Sequence, residues 1–207
     1  MLFYTTDRNE HGLPHDPFKA IVSPRPIGWI STRARDGSVN LAPYSFFNAV
    51  CDSPKLVMFS SAGMKDSASI AIETGEFVAN LATGDLARQL NRTSAQAPRG
   101  VSEFALAGLT EAPCRLVTAP RVAESPAALE CRVTESFRPK GLDGTPSPYF
   151  MVIGEVVAVH IDEAILTDGM LDMSLARPLS RLGYLDYAVT EEVFQMSRPR
   201  MPDASDV

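Results

Sequence analysis

Residues 24–48, PRPIGWISTRARDGSVNLAPYSFFN, place two strand-like runs either side of a turn and then interrupt the second run with a proline. The run over residues 27–32 has the β-branched and aromatic content of a strand, and Asp36-Gly37 is a dipeptide favoured in tight hairpins. Residues 39–48 are then the returning arm. Pro43 has no N–H for a ladder, so the arm is expected to leave its partner near Ala42 and to free the backbone donors of Tyr44, Ser45 and Phe46. Free donors beside aromatic side chains suit a flat polar ring.

The chain has 207 residues, 45% of them apolar and 21% charged, which fits one domain with a substantial core. A net charge of −6 opposes general nucleic-acid binding, which depends on clustered basic residues. Only four of the 19 basic residues are lysines, at 19, 55, 65 and 140, so Lys65 stands out in its loop of small residues. No apolar run approaches the roughly 18 residues needed to cross a bilayer, and the first residues lack the pattern of an export signal. A cytoplasmic protein without membrane attachment is expected. Cys51, Cys114 and Cys131 show neither CxxC nor Cys/His metal spacing, so they read as reduced, buried thiols, with no metal site.

Residues 1–17 read as an arm, and residues 188–207 as an extension, of a single domain spanning 1–207. His11 and His15 are separated by Gly12 and Pro14, which argues against a helical metal pair. Residues 55–60 form a short strand that ends in Ser60-Ser61-Ala62-Gly63, small enough for a ligand to approach the backbone. A helix over residues 66–74 is expected, capped by Asp66 or Ser67 and stopped by Gly75. Residues 76–82 return as a strand. Short helical pieces follow within 83–98 and 99–108, with Asp85 as a cap of the first and Ser102 and Glu103 opening the second. Strands are expected at 115–117, 128–137 and 149–161, and the Pro- and Gly-rich loop over 138–148 is a candidate flap. In the last strand, His160 is read on one face with Val156 and Ala158, as its lone polar residue.

The runs PRPIGWIST and NLAPYSFFN, followed by Lys65-Asp66-Ser67 opening a helix, resemble the flavin reductase-like family of FMN-binding split barrels. The likeness is dense over residues 18–77 and weaker at GEVVAVHI and RPLSRLGYLDY. It implies a mainly β fold, an antiparallel split β-barrel with a few short peripheral helices. It further implies that FMN's phosphate sits at Lys65, Asp66 and Ser67, where unsatisfied N–H groups and the helix dipole favour an anion. Trp29, Ile30, Ser31 and Thr32, with Asn40, Ala42, Pro43, Tyr44, Ser45 and Phe46, resemble the segments that hold the ring and ribityl chain, and Ser60 and Ser61 lie beside them. Clustered hydroxyls and amides there need partners that a flavin has to offer. Core packing explains Ile30 and Leu41 without a ligand, and is the alternative reading for Trp29. His160 is the candidate catalytic residue, with a satisfied interior histidine as the alternative. Arg181-Leu182-Gly183-Tyr184 departs from the family's RLGG at its last position.

The function the resemblance implies is NAD(P)H-dependent flavin reduction, with electrons passing from a nicotinamide donor through FMN to a second small-molecule acceptor. No GxGxxG fingerprint is present, so the nicotinamide would bind on the flavin. A flavin-binding or carrier module serving a partner oxygenase is the alternative, and a pyridoxamine-phosphate-oxidase-like enzyme a third reading. The resemblance also implies a homodimer whose flavin sites draw on both chains.

Overall fold

The computed structural model describes residues 1–95 and 101–199. Helix α1 (Phe18–Ile21) leads into a two-residue strand β1 (Arg25–Pro26), then β2 (Gly28–Arg33), β3 (Val39–Tyr44), β4 (Phe47–Asp52) and β5 (Lys55–Ala62). Helix α2 (Asp66–Thr74) and β6 (Glu76–Leu81) follow, then α3 (Ala87–Arg92), α4 (Glu103–Ala107) and a ribbon of β7 (Glu111–Ala112) and β8 (Arg121–Val122). The longest strands, β9 (Ala127–Phe137) and β10 (Tyr149–Ile161), come next. A small hairpin of β11 (Leu166–Thr167) and β12 (Met170–Leu171), helix α5 (Met173–Ala176), β13 (Leu179–Arg181) and β14 (Tyr187–Val189) end the regular structure. Parts of the expected helical pieces, at 96–100, and of the C-terminal extension, beyond 199, lie outside the described residues.

Seven strands form one curled antiparallel sheet, a half-barrel, in the order β3-β2-β6-β9-β10-β5-β4. The fold is the mainly β split barrel expected from the sequence. Neighbouring residues on β2 point to opposite faces of the sheet and so enter different cores. Ile30 packs with Phe59, Phe77, Val152 and the α2 residues Ala68 and Ala71, while Trp29 packs with Leu41, Leu90 and Phe104 under α3 and α4. Helix α2 thus fills one side of the curl and the α3–α4 pair covers the other. A separate three-stranded sheet, β1-β13-β14, ties the C-terminal part of the chain to the segment before β2.

Several local expectations are corrected. The β2–β3 ladder runs through Pro43, which lies opposite Trp29, and continues to Tyr44 opposite Gly28. The strand tolerates proline because β3 is the sheet edge, where the missing donor faces outward. By contrast, Asp36-Gly37 makes the expected tight hairpin turn: Gly37 has φ +87°, the N–H of Gly37 bonds to the Ala34 carbonyl, and the Asp36 carboxylate accepts from the N–H of Ser38. Helix α2 has its predicted span and the left-handed stop at Gly75, but Lys65 occupies the cap position and no side chain caps it. Leu86, and not Asp85, precedes α3. Residues 115–117 form no strand; their N–H groups turn inward to Glu130. Cys51 is exposed, in contrast to buried Cys131. The 138–148 loop is a hairpin tip with bonds of its own, including Arg138 Nε to the carbonyl of Ser147 at 2.8 Å.

The face assignment on β10 is corrected too. A register shift between Val156 and Ala158 inserts a residue into the strand, and a bulge of this kind reverses the alternation beyond it. Val157 packs with Val78, Val117 and Ala128, the side on which His160 meets Glu130.

Candidate functional site

The cavity of interest, about 530 Å³, opens where the N-terminus of α2 faces the β3–β4 connection. Lys65, Asp66 and Ser67 supply one wall, and Asn40, Ala42, Pro43, Tyr44, Ser45 and Phe46 another. Ser60, also predicted, lines it as well.

The helix end is open for a physical reason. Lys65 is extended and offers no oxygen as a cap, and the first helical bond is that from Ser69 N–H to the Lys65 carbonyl. The N–H groups of Asp66, Ser67 and Ala68 are therefore unclaimed among the described residues, at the positive end of the helix dipole. Lys65 makes no ion pair among the described residues.

Behind this wall a chain of hydrogen bonds fixes the polar groups. Ser67 Oγ donates to Asn40 Oδ1 at 2.5 Å. Asn40 Nδ2 donates to Glu103 Oε2 at 3.2 Å, and the same oxygen accepts from Leu41 N–H at 3.0 Å. All three side chains are buried. The network links α2, β3 and α4, and so holds the hydroxyl of Ser67 in one place. Tyr44 is also buried, and its burial pushes the phenol pKa up against the opposing hydrogen bonds of Ser67 and Ser61, so the ring enters this region neutral.

Other predicted residues are not brought to the cavity. Trp29 and Ile30 are core residues on opposite faces of β2; Trp29 reaches the wall only through its Nε1 bond to Thr93 Oγ1 at 2.9 Å. Ser31 Oγ donates to the Pro120 carbonyl at 2.5 Å and accepts from Asn80 Nδ2 at 3.1 Å. Its partners come from the protein, which the sequence argument for a flavin contact did not foresee. Thr32 Oγ1 is buried without a partner among the described residues, and Ser61 Oγ donates to the Gly63 carbonyl at 2.8 Å.

His160 is also elsewhere. Its Nε2 lies 2.6 Å from Oε1 of fully buried Glu130. Burial raises the Glu130 pKa, but the N–H groups of Arg115, Leu116 and Val117 and the His160 ring outweigh it, so the carboxyl is held below its usual value. Cys114 lies near this pair, and burial, aided by the Glu130 charge, pushes its thiol up to about 11.

Sequence reasoning missed Lys19, Thr93, Ser94, Glu103 and Tyr149 as cavity residues. Glu103 carried a partial signal as the opening residue of a helix. Thr93 and Tyr149 carried none, because tertiary packing alone brings them to the site.

Residues 22–178 match the family described as the flavin reductase like domain. An uncharacterized protein of Halalkalibacterium halodurans is 36% identical over 183 residues, covering 86% of this chain and 87% of that protein. Among solved structures, nitrilotriacetate monooxygenase component B from Bacillus cereus superposes with a TM-score of 0.85 at 30% identity, covering 95% of this chain and 98% of that one. The 2-nitrobenzoate 2-nitroreductase of Pseudomonas fluorescens gives 0.81 at 25% identity, with 98% and 99% covered. With its half-barrel sheet and a family match over most of its length, the chain belongs to the flavin reductase-like family of flavin-related oxidoreductases.

Proposed function

We propose that the protein is an FMN-dependent oxidoreductase that takes electrons from NADH or NADPH and passes them to a second small acceptor. The observation that carries this reading is the uncapped N-terminus of α2, with Lys65 and Ser67, facing the β3–β4 connection across one cavity. Three unclaimed N–H groups and an ammonium without an ion pair are the donor set a phosphate dianion requires. Ser45, Phe46 and Tyr149 line the same cavity and give a flat ring polar edges and aromatic walls. When bound, FMN supplies the hydride and electron chemistry. The protein's residues anchor the phosphate, orient the ring and limit access to it. In this reading Glu103 and Asn40 position Ser67, Trp29 positions Thr93, and His160 acts from outside the cavity by holding Glu130.

The experiment is stopped-flow mixing of FMN-loaded protein with NADH and with NADPH. Bleaching of the flavin absorption band by either is the expected result, and a band unchanged by both overturns the reductase reading. A carrier role beside a partner oxygenase is the second reading, favoured by the likeness to a monooxygenase component B. Under that reading FMN binds, but turnover with free acceptors is slow until an oxygenase is added. We further propose a homodimer within the cytoplasm as the working form.

A further inference from the structure

A second cavity, about 580 Å³, adjoins the first and shares Lys19, Pro43, Ser45 and Ser94 with it. Its charge is one-sided. Arg25 and Arg181 face each other as register partners of β1 and β13, Lys19 adds a third cation, and Asp16 is the sole carboxylate among the lining residues. Asp16 is already engaged, accepting from Phe18 N–H and from Asn9 Nδ2. None of the ion pairs among the described residues involves Arg25, Arg181 or Lys19.

Arg25 is buried and spends its guanidinium on the backbone carbonyls of Lys19, Val22 and Leu182. Burial, and then the like charge of Arg181, depress its pKa. Two guanidiniums held side by side without a carboxylate repel each other, and burial of Arg25 adds to that cost. An anion arriving in the cavity relieves that cost.

The other wall is aromatic. The Arg181 guanidinium lies 4.5 Å from the centroid of the Tyr187 ring, and Arg181 also donates to the Tyr184 carbonyl. Tyr184 adopts φ +52°, a left-handed backbone that side chains disfavour and that tends to persist where function requires it. The turn is held from below by Gly183, where an added Cβ would sit 2.5 Å from Ala20 Cβ of α1. Only glycine allows this approach, and it keeps the half-exposed Tyr184 ring at the cavity.

We propose that this second cavity binds a flat ring compound carrying a carboxylate or phosphate, with Arg181 taking the anion and Tyr184 and Tyr187 flanking the ring. Guanidinium beside aromatic faces is the arrangement that recognises such molecules. An aromatic acid and the nicotinamide donor share this chemistry. Only the ligand's part as a redox substrate rests on the flavin reading; its binding does not.

The test is calorimetric titration of the full chain, with and without FMN, using benzoate, NADP⁺ and, as the uncharged control, benzamide. Benzoate or NADP⁺ is expected to bind at least about tenfold more tightly than benzamide, and which of them saturates identifies the source of the anion. Arg181→Gln is expected to weaken that anion about tenfold, one charge-assisted hydrogen bond, and to leave FMN affinity within about twofold. Binding of the anion by a chain that fails to take up FMN would retain the site and remove only the redox assignment. The proposal is overturned if neither anion outbinds benzamide, or if Arg181→Gln weakens FMN as much as the probe.

Discussion

The Glu130 carboxylate has about four acceptor positions, and the structure fills them: three with N–H groups from residues 115–117 and one with the His160 ring. Burial alone would favour the protonated acid, yet these donors reverse the sign and lower the pKa from the ordinary 4.5. A depressed folded-state value means stabilisation that is complete above the ordinary value and is lost as the pH falls through the lowered one. Glu130→Gln keeps the shape but removes the charge from these bonds, and should cost roughly 2–4 kcal/mol at pH 7. For a chain of this length that corresponds to a fall in Tm of roughly 5–15 °C. Thermal melts by circular dichroism at stepped pH check it: the gap between the two proteins should narrow below pH 4, and a constant gap would exclude the carboxylate as its cause. His160 was legible in the sequence as a lone polar residue on an apolar strand. Its partner was not, because Glu130 lies on a different strand and the bulge in β10 sets which face His160 joins.

Helix α2 was the most legible element, since its buried Ile70 and Ala71 and the glycine after its last turn announce both period and end. The cap was misjudged because hydroxyl and carboxylate side chains near a helix start usually bond to it, whereas here Ser67 turns to Asn40. That diversion leaves the helix end open and creates the proposed phosphate site. Lys65→Ala should weaken FMN binding by about 10- to 150-fold, the equivalent of one charge-assisted hydrogen bond, and fluorescence titration would read it. An unchanged dissociation constant would place the phosphate elsewhere. A second element-scale test concerns β10, where Gly154 lies against the ring of Phe77 and an added Cβ would come within 2.5 Å of its Cε1. The Phe77 ring is fully buried and wedged edge-on against Phe59 at 5.2 Å, so it has little room to yield. Gly154→Ala should therefore cost roughly 2 kcal/mol, lowering Tm by about 4–8 °C. Pro43 was misread in the opposite direction, as the end of a ladder, because a sequence does not state which strand will be the sheet's edge.

At the scale of the whole molecule, part of the curled sheet is left open as a surface hollow. Ala49, Val50, Leu56, Val57, Leu129, Val156 and Val159 line a shallow apolar hollow across β4, β5, β10 and β9, with Val50 and Val159 each about half exposed. Exposed apolar surface of this kind is a standing gain for any partner that can bury it, and a second copy of the chain is the partner we propose. The same strands lead toward the cavity: β5 ends at Ser60 and Ala62 and β10 begins at Tyr149, all three lining it. Pairing across this face would brace both strands, so association and flavin affinity should change together. Light scattering is expected to give twice the 22.4 kDa chain mass. Val159→Glu places a charge in the hollow, where desolvation opposes assembly, and should shift the population toward single chains with a parallel loss of FMN affinity. If the variant is monomeric and binds FMN as tightly as the parent chain, the coupling is wrong. If the parent chain is itself a monomer that holds FMN, the hollow is not the seat of a second copy.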